Sequence, residues 1–167
     1  DPRRNGNKRW TYIPCRSMPW QKDIEKWNNQ YGKPIYALEL MNEPENMAAL
    51  IIPGYFQSVK AWLQDLANII HNETSIKVTL GAHTIVDMQR WWHGVDIDIR
   101  QYHFYKYMFK EYEKWPHNVK REEIEMPGPI FCGEMEPFDI VKNIEAMKNN
   151  GYSGIMLWSL DSTDGFA

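Results

Sequence analysis

The sequence predicts an α/β fold built around a parallel β-sheet, and three observations support this prediction. Segments with apolar residues at helical spacing alternate with short aliphatic or β-branched segments, which is the pattern of strands joined by crossover helices. The strand-like segments are apolar on both faces, as in a sheet that is covered by helices. Polar residues follow the strands at their carboxyl ends, where parallel α/β folds hold their functional groups.

Three segments have helical periodicity and five have the composition of buried strands. Apolar side chains between Trp20 and Tyr31 recur at spacings of four, three and four, which predicts one buried helix face that includes Trp27. Two further helices are predicted, one from Pro53 to His71 with Trp62 on its buried face and one from Pro137 to Asn149 with Ile140, Ile144 and Met147 on its buried face. The predicted strands are Ile35–Met41, Ile76–Leu80, Ile97–Tyr105, Pro129–Glu134 and Gly154–Leu160.

Five parallel strands are fewer than a closed barrel needs. A TIM (β/α)₈ barrel has eight strands and typically about 250 residues, whereas this chain has 167 residues. We therefore expect residues 1–167 to form one partial barrel domain, the C-terminal half with about strands four to eight, without the N-terminal strands.

The composition narrows the function classes. Hydrophobic residues make up 43% and charged residues 25%, as in ordinary globular proteins, and the net charge of −3 without a basic run argues against nucleic acid as a partner. No stretch is long and apolar enough to predict a membrane span. A disulfide between Cys15 and Cys132 has no support from spacing, and Cys132 has the sequence environment of a small buried residue. The chain starts at Asp1 without Met, as a processed chain would, and we expect it to be secreted.

Two glutamates follow different strands and are accompanied by aromatic and histidine side chains. Glu43 comes after the first predicted strand and Glu134 ends the fourth. One carboxylic acid that protonates a leaving oxygen and one carboxylate that attacks an anomeric carbon are what a retaining glycosidase needs, at a separation of about 5–5.5 Å. This chemistry requires one carboxyl group with a raised pKa and one that is ionised. The accompanying residues at the strand ends are Asn42, His83, His103, Tyr105 and Trp158.

Four segments resemble clan A glycoside hydrolases, closest to the family 5 cellulase and mannanase group, over roughly residues 17–167. Leu38–Pro44, with the sequence L-E-L-M-N-E-P, resembles the end of that clan's fourth strand. His103-Phe104-Tyr105 resembles the sixth-strand motif. Pro129–Glu134 and Gly154–Leu160 resemble the seventh and eighth strands.

The resemblance implies a role for each matching residue. Glu43 would be the general acid/base and Glu134 the nucleophile, while Asn42 would bind the sugar 2-hydroxyl. Trp158 would stack under the sugar at the cleavage point, and Tyr105 would donate a hydrogen bond to Glu134. The implied activity is hydrolysis of a β-1,4-linked glucan or mannan, as an endo-β-1,4-glucanase or β-mannanase would perform it, with no cofactor and no metal.

Several positions keep two interpretations. Glu136 has the same strand parity as Glu134 and is a rival nucleophile, and Glu39 is expected to face the barrel interior with a structural partner. Trp91 and Trp92 are either subsite platforms or loop-packing residues, and His83 is either a site residue or a strand-end hydrogen-bonding residue.

Two alternatives to a complete enzyme also follow from the partial barrel. The resemblance implies that the missing strands would carry an Arg and a His that the family places near the nucleophile. The chain could therefore be a non-catalytic carbohydrate-binding relic, or a half barrel that a second chain or a second copy completes. In each case the partner class is a poly- or oligosaccharide.

Overall fold

The computed structural model of the protein describes residues 20–48, 54–107 and 118–158. Cys15 and the residues after Trp158 lie outside this part, so the disulfide and the end of the last predicted strand are not addressed. Helices separate most of the successive strands in the described residues. Their bounds are α1 Trp20–Gln30, β1 Ala37–Asn42, α2 Pro44–Ala48, α3 Tyr55–Glu73, β2 Lys77–Ala82, α4 Ile85–Trp91, β3 Ile99–Phe104, β4 Ile130–Met135, α5 Ile140–Asn149 and β5 Ile155–Leu157.

All five strands belong to one parallel sheet in the order β1-β2-β3-β4-β5. Strand order thus follows chain order, as successive β-α units produce when each crossover has the same hand. The predicted α/β class and the five parallel strands are confirmed. Within the described residues, β1 and β5 are the two edges of an open sheet.

The pairing register shifts near the carboxyl end of the sheet. Between β3 and β4, Tyr102 pairs with Cys132, but the next residue, His103, pairs with Glu134. Gly133 is therefore the extra residue on β4 at this point. Irregularities of this kind change the direction of side chains and are frequent beside active sites. Here the shift places His103 directly beside Glu134.

The core lies around the middle of the sheet. Every residue of β3 is buried, as are five of the six residues of β2, whereas most of β1 and β5 is partly or fully exposed. Helix α3 packs its buried face against the sheet, with Leu63, Leu66, Ala67 and Ile70. Trp62 packs against the same core, as predicted. Cys132 is buried, as expected.

Two predictions of buried helix faces are wrong in part. Trp27 is 59% exposed, and Tyr31 follows the end of α1 and is also exposed. From Asp23 to Gln30, the part of α1 whose side chains are described, the buried residue is Asn28, whose side-chain oxygen accepts a hydrogen bond from Ile35 N at 2.9 Å. In α5, Met147 is buried but Ile144 is exposed. Both helices flank the edge strands, so less of each helix is covered.

Helix α4 was not predicted. Thr84 caps it: its hydroxyl accepts a hydrogen bond from Asp87 N at 3.0 Å and donates one to Asp87 Oδ2 at 2.7 Å. A Thr followed three residues later by an acidic residue is a helix-start signal that the sequence contains. Among the described helices, none combines the length and apolarity of a membrane span.

Candidate active site

The turn after β1 fixes the backbone of Glu43. Glu43 has a left-handed conformation with φ 42°, which is uncommon for a residue with a side chain. Its N–H donates to Gly81 O on β2 at 2.8 Å, and its own carbonyl accepts from Asn46 N at 3.0 Å. Pro44 then begins α2, a position where the missing N–H of proline costs nothing. Glu43 therefore leaves the strand abruptly and is tied to the neighbouring strand.

Glu43 and Glu134 meet at His103. The Nδ1 atom of His103 lies 2.5 Å from Glu43 Oε1 and 3.5 Å from Glu134 Oε2. One carboxylate oxygen from each glutamate and an imidazole nitrogen all lie within 4.8 Å of one another. The imidazole is only 1% exposed, while both carboxylates remain partly accessible. The structure thus brings three of the predicted site residues together at the carboxyl end of the sheet.

Tyr105 holds the second glutamate. Its hydroxyl donates a short hydrogen bond to Glu134 Oε2, which is the contact expected from the sequence. Burial raises the pKa of Tyr105 far above its ordinary value, and the hydrogen bond and negative charge of Glu134 raise it further. Tyr105 consequently stays protonated and acts as a permanent donor to the carboxylate.

The expected raised pKa of Glu43 is wrong for the unliganded protein. Burial alone would raise the pKa of Glu43, but the hydrogen bond and positive charge of His103 outweigh it and lower the pKa. The charge of His83 and a hydrogen bond from Asn46 act in the same direction. The sequence could not show that the pKa of Glu43 is lowered, because it does not reveal the contact with His103.

Glu39 has the structural partner that the sequence could not identify. Its pKa is raised by burial and lowered in part by a hydrogen bond with Gln101 on β3. A methyl group built on Gly81 would lie 2.6 Å from Glu39 Oε1, 3.0 Å from His103 Nε2 and 3.3 Å from Asn42 Oδ1. The absence of a side chain at Gly81 therefore leaves the space in which these three polar groups converge.

The predicted aromatic platforms have different environments. Trp92 is 1% exposed and its indole N–H donates to Glu45 Oε2 at 2.8 Å, so its assignment as a sugar platform is corrected to a core residue. Trp91 stacks on Phe56 with ring centroids 3.8 Å apart, and the Arg90 guanidinium lies 4.6 Å from its centroid. These contacts support loop packing for Trp91.

Trp158 differs from both of these residues. Its backbone N–H donates to Met135 O at 2.8 Å, which fixes it beside β4, while its side chain is 52% exposed. The indole of Trp158 is therefore not buried in the core, unlike that of Trp92.

The structure also shows the contacts of His83 and Glu136. His83 lies 3.9 Å from Asp87 and close enough to Glu43 to lower its pKa. Glu136 Oε2 accepts a hydrogen bond from Lys106 N at 2.8 Å. The Glu136 carboxylate is thus directed to the loop after β3, whereas Glu134 belongs to the group around His103.

The same three side chains have the spacing of a cation site. Among the residues that the structure describes, Glu43, His103 and Glu134 offer two carboxylates and one imidazole at distances compatible with a bound divalent ion. The sequence showed no such spacing, because the three residues come from three separate strand ends. Residues that the sequence analysis missed are Glu45, Asn46 and Gln101.

The sequence comparisons found no matching family model and no curated relative. Solved structures do match. The endo-1,4-β-mannanase from Eisenia fetida aligns with a TM-score of 0.58 and 18% identity over 84% of this chain and 50% of that chain. The β-mannanase from the blue mussel Mytilus edulis aligns with a TM-score of 0.63 and 15% identity over 83% of this chain and 52% of that chain.

The fold is half of a TIM barrel. The GH53 catalytic domain from Ignisphaera aggregans gives a similar result, with a TM-score of 0.51 and 14% identity over 83% of this chain and 51% of that domain. The chain therefore spans about half the length of the glycoside hydrolases that it resembles in structure, and the expected partial barrel is confirmed. At these identities the likeness establishes the fold.

Proposed function

We propose that the chain carries the catalytic carboxylates of a retaining β-glycoside hydrolase of the clan A, family 5 type. One observation carries the proposal: an oxygen of Glu43 and an oxygen of Glu134 lie within 4.8 Å of each other. Retaining enzymes place their two carboxyl groups about 5–5.5 Å apart, whereas inverting enzymes leave roughly 6.5–9.5 Å for a water molecule. Glu43 is the proposed acid/base and Glu134 the proposed nucleophile.

In the first step, Glu134 attacks the anomeric carbon and forms a glycosyl ester while the bond to the leaving oxygen breaks. The hydroxyl of Tyr105 holds Glu134 in place and leaves its other oxygen available for attack. The departing oxygen takes a proton from Glu43. In the second step, Glu43 removes a proton from water, the water oxygen displaces Glu134, and the carboxylate is regenerated.

His103 explains how an acid with a lowered pKa can serve as a proton donor. The 2.5 Å hydrogen bond between Glu43 Oε1 and His103 Nδ1 is a direct path along which a proton can pass between the two groups. A sugar bound over the site excludes water and weakens the charge-separated arrangement relative to the neutral one. The proton then resides on Glu43, where the leaving oxygen needs it.

A β-1,4-linked mannan is the favoured substrate. The proteins from Eisenia fetida and Mytilus edulis, which share the fold, are described as β-mannanases, and this chain has a compatible set of sugar-binding groups. Asn42 is exposed at the end of β1 beside Glu43 and is proposed to bind the sugar 2-hydroxyl. The open indole of Trp158 is proposed to stack on a sugar ring.

The edges of the sheet favour an assembly that covers them. Exposed apolar side chains occur near both edge strands, with Tyr36 beside β1 and Met156 and Leu157 in β5. In a closed barrel, further β-α units would cover these edges. We propose that the active protein contains such units, in a longer chain or in a second chain, and that these supply the remainder of the sugar-binding cleft.

The test is the configuration of products made in azide by two variants assayed on an aryl β-mannoside with a good leaving group. Glu134→Ala removes the nucleophile, so azide should attack directly and give an α-glycosyl azide. Glu43→Ala should still form the glycosyl ester, because a good leaving group needs little protonation. Azide should then release it as a β-glycosyl azide.

Glu136→Ala is the matched control, since it removes a carboxylate two residues from Glu134 that contacts Lys106 instead. It should retain hydrolysis without azide. The same anomer from both glutamate variants, or the nucleophile phenotype in Glu136→Ala, would contradict the assigned roles. Mannan binding without turnover in the unaltered protein, with the units that cover the sheet edges present, would support the carbohydrate-binding relic instead.

A further inference from the structure

Glu45 is a buried carboxylate that the proposed chemistry does not use. It lies in α2, two residues after Glu43, and is only 6% exposed. A carboxylate in this position loses hydration, so it must find donors within the protein. Burial raises the pKa of Glu45, and hydrogen bonds from His83 N and Trp92 Nε1 oppose this effect.

The two oxygens of Glu45 join three elements at the carboxyl end of the sheet. Oε1 accepts from the backbone N–H of His83, directly after β2, and Oε2 accepts from the indole N–H of Trp92 at 2.8 Å. Trp92 directly follows α4 and caps its C-terminal end. Glu45 therefore connects the turn after β1 to the turn after β2 and to the end of α4.

These bonds act on the proposed acid/base through short connections. Glu43 holds a left-handed backbone conformation that a residue with a side chain adopts only when its surroundings impose it. Its backbone is tied to Gly81 on β2, and its carboxylate accepts a hydrogen bond from Asn46 in α2. Movement of α2 relative to β2 would change both contacts.

We propose that Glu45 is a positioning residue for Glu43: by binding His83 N and Trp92 Nε1 it fixes α2 against β2 and α4, and so aims the Glu43 carboxylate at the leaving oxygen. The inference rests on the proposed function for the role of Glu43. The coupling of Glu45 to the Glu43 carboxylate can be measured whether or not the protein hydrolyses a sugar.

Glu45→Gln is the sharpest substitution, because glutamine has the same shape. The amide offers one acceptor and one NH₂ group, so it cannot accept both N–H donors and must turn a donor towards one of them. Trp92→Phe removes the indole N–H and retains an aromatic ring. In the double variant the amide oxygen can accept from His83 while its NH₂ group no longer faces a donor.

Kinetics on two substrates distinguish a misplaced Glu43 carboxylate from a general loss of folded protein. Glu45→Gln should lower kcat/KM by about 10–100-fold for mannan, whose leaving oxygen needs a proton, and by less than about 3-fold for a dinitrophenyl β-mannoside. The double variant should recover part of this loss, which is the non-additivity expected of residues in contact. Glu122→Gln makes the same change at a side chain that is 79% exposed and should change neither rate.

A second readout does not depend on activity. Glu45→Gln should shift the carboxyl ¹³C resonance of Glu43 and the indole ¹H resonance of Trp92, while Glu122→Gln shifts neither. An unmoved Glu43 resonance overturns the proposal even in a protein without hydrolytic activity. In a protein with hydrolytic activity, an equal loss of kcat/KM on both substrates overturns the proposal. A double variant as impaired as Glu45→Gln alone also overturns it. Absence of hydrolysis with the expected resonance shift contradicts only the proposed function.

Discussion

Two histidines each face two carboxylates, at opposite ends of the same sheet. At the carboxyl end, His103 directs one nitrogen, Nδ1, towards both Glu43 and Glu134. At the amino end, His71 uses both nitrogens, with Nδ1 3.2 Å from Asp96 and Nε2 2.8 Å from Asp98. The residue types are alike, but the geometry differs.

The difference agrees with the proposed chemistry at the carboxyl end and with a supporting role at the amino end. His103 is buried, and both of its carboxylates face the same nitrogen. His71 is partly exposed, and each of its two nitrogens contacts a different carboxylate. Asp98 also accepts a hydrogen bond from Val78 N at 2.8 Å, which connects β2 to the start of β3. In barrels of this kind the carboxyl ends carry catalysis and the amino ends carry stability.

The largest expected effect separates the two histidines. His103→Gln removes Nδ1 from the space between Glu43 and Glu134, and we expect kcat on mannan to fall by about 100-fold or more because the direct path for a proton to Glu43 is lost. His71→Gln makes the matched change at the other end and should leave kcat unchanged. Steady-state kinetics on both variants provides the comparison. Equal losses in kcat would show that the two ends do not differ in this way.

A smaller effect is expected where the backbone leaves room for His103. Gly81→Ala would place its methyl group 2.6 Å from Glu39 Oε1 and 3.0 Å from His103 Nε2, so these side chains must move. We expect kcat to fall by about 10-fold, with little change in the free energy of unfolding, because the displaced atoms are side-chain ends. Gly154→Ala is the control, since its nearest neighbour is Phe131 Cβ at 3.9 Å. A rate loss as large in the control would exclude a specific effect at Gly81.

The sequence predicted the sheet well because each strand carries its own signal. A short apolar segment that ends in a turn residue is sufficient to identify a strand in a parallel sheet, and the pairing of Glu43 with Glu134 then follows from their place at strand ends. Helix orientation is a different problem. The apolar spacing between Trp20 and Tyr31 defines a face but not what covers it, and Trp27 is exposed at the edge of the sheet.

The sequence also did not identify the polar partners of Glu43 and Trp92. His103, whose hydrogen bond and charge lower the pKa of Glu43 most, lies 60 residues further along the chain, so this pKa depends on a contact that spacing along the chain does not encode. Trp92 shows the same limit, because the acceptor of its indole N–H, Glu45, lies 47 residues earlier in the sequence. The signal for Glu45 was a charged residue directly after Glu43-Pro44, where a surface position is the ordinary expectation.

The smallest predicted effect concerns the amino end of the sheet. Burial tends to raise the pKa of Asp98, but the hydrogen bond from Val78 N and the hydrogen bond and charge of His71 outweigh it and lower the pKa. A carboxylate with a lowered pKa in the folded state stabilises the protein above its unfolded pKa, and this stabilisation is lost as the pH falls through the folded value.

Asp98→Asn retains an oxygen for Val78 N and removes the negative charge. We expect it to lower the free energy of unfolding at pH 7 by less than about 1 kcal/mol, since solvent screens this partly exposed group. Urea unfolding at several pH values should show the difference from the unaltered protein shrinking below about pH 4. Asp96→Asn, at the longer and more exposed contact, should cost less. A difference that grows on acidification would mean that the Asp98 charge does not stabilise the fold, and the amino-end histidine would then lose its assigned role.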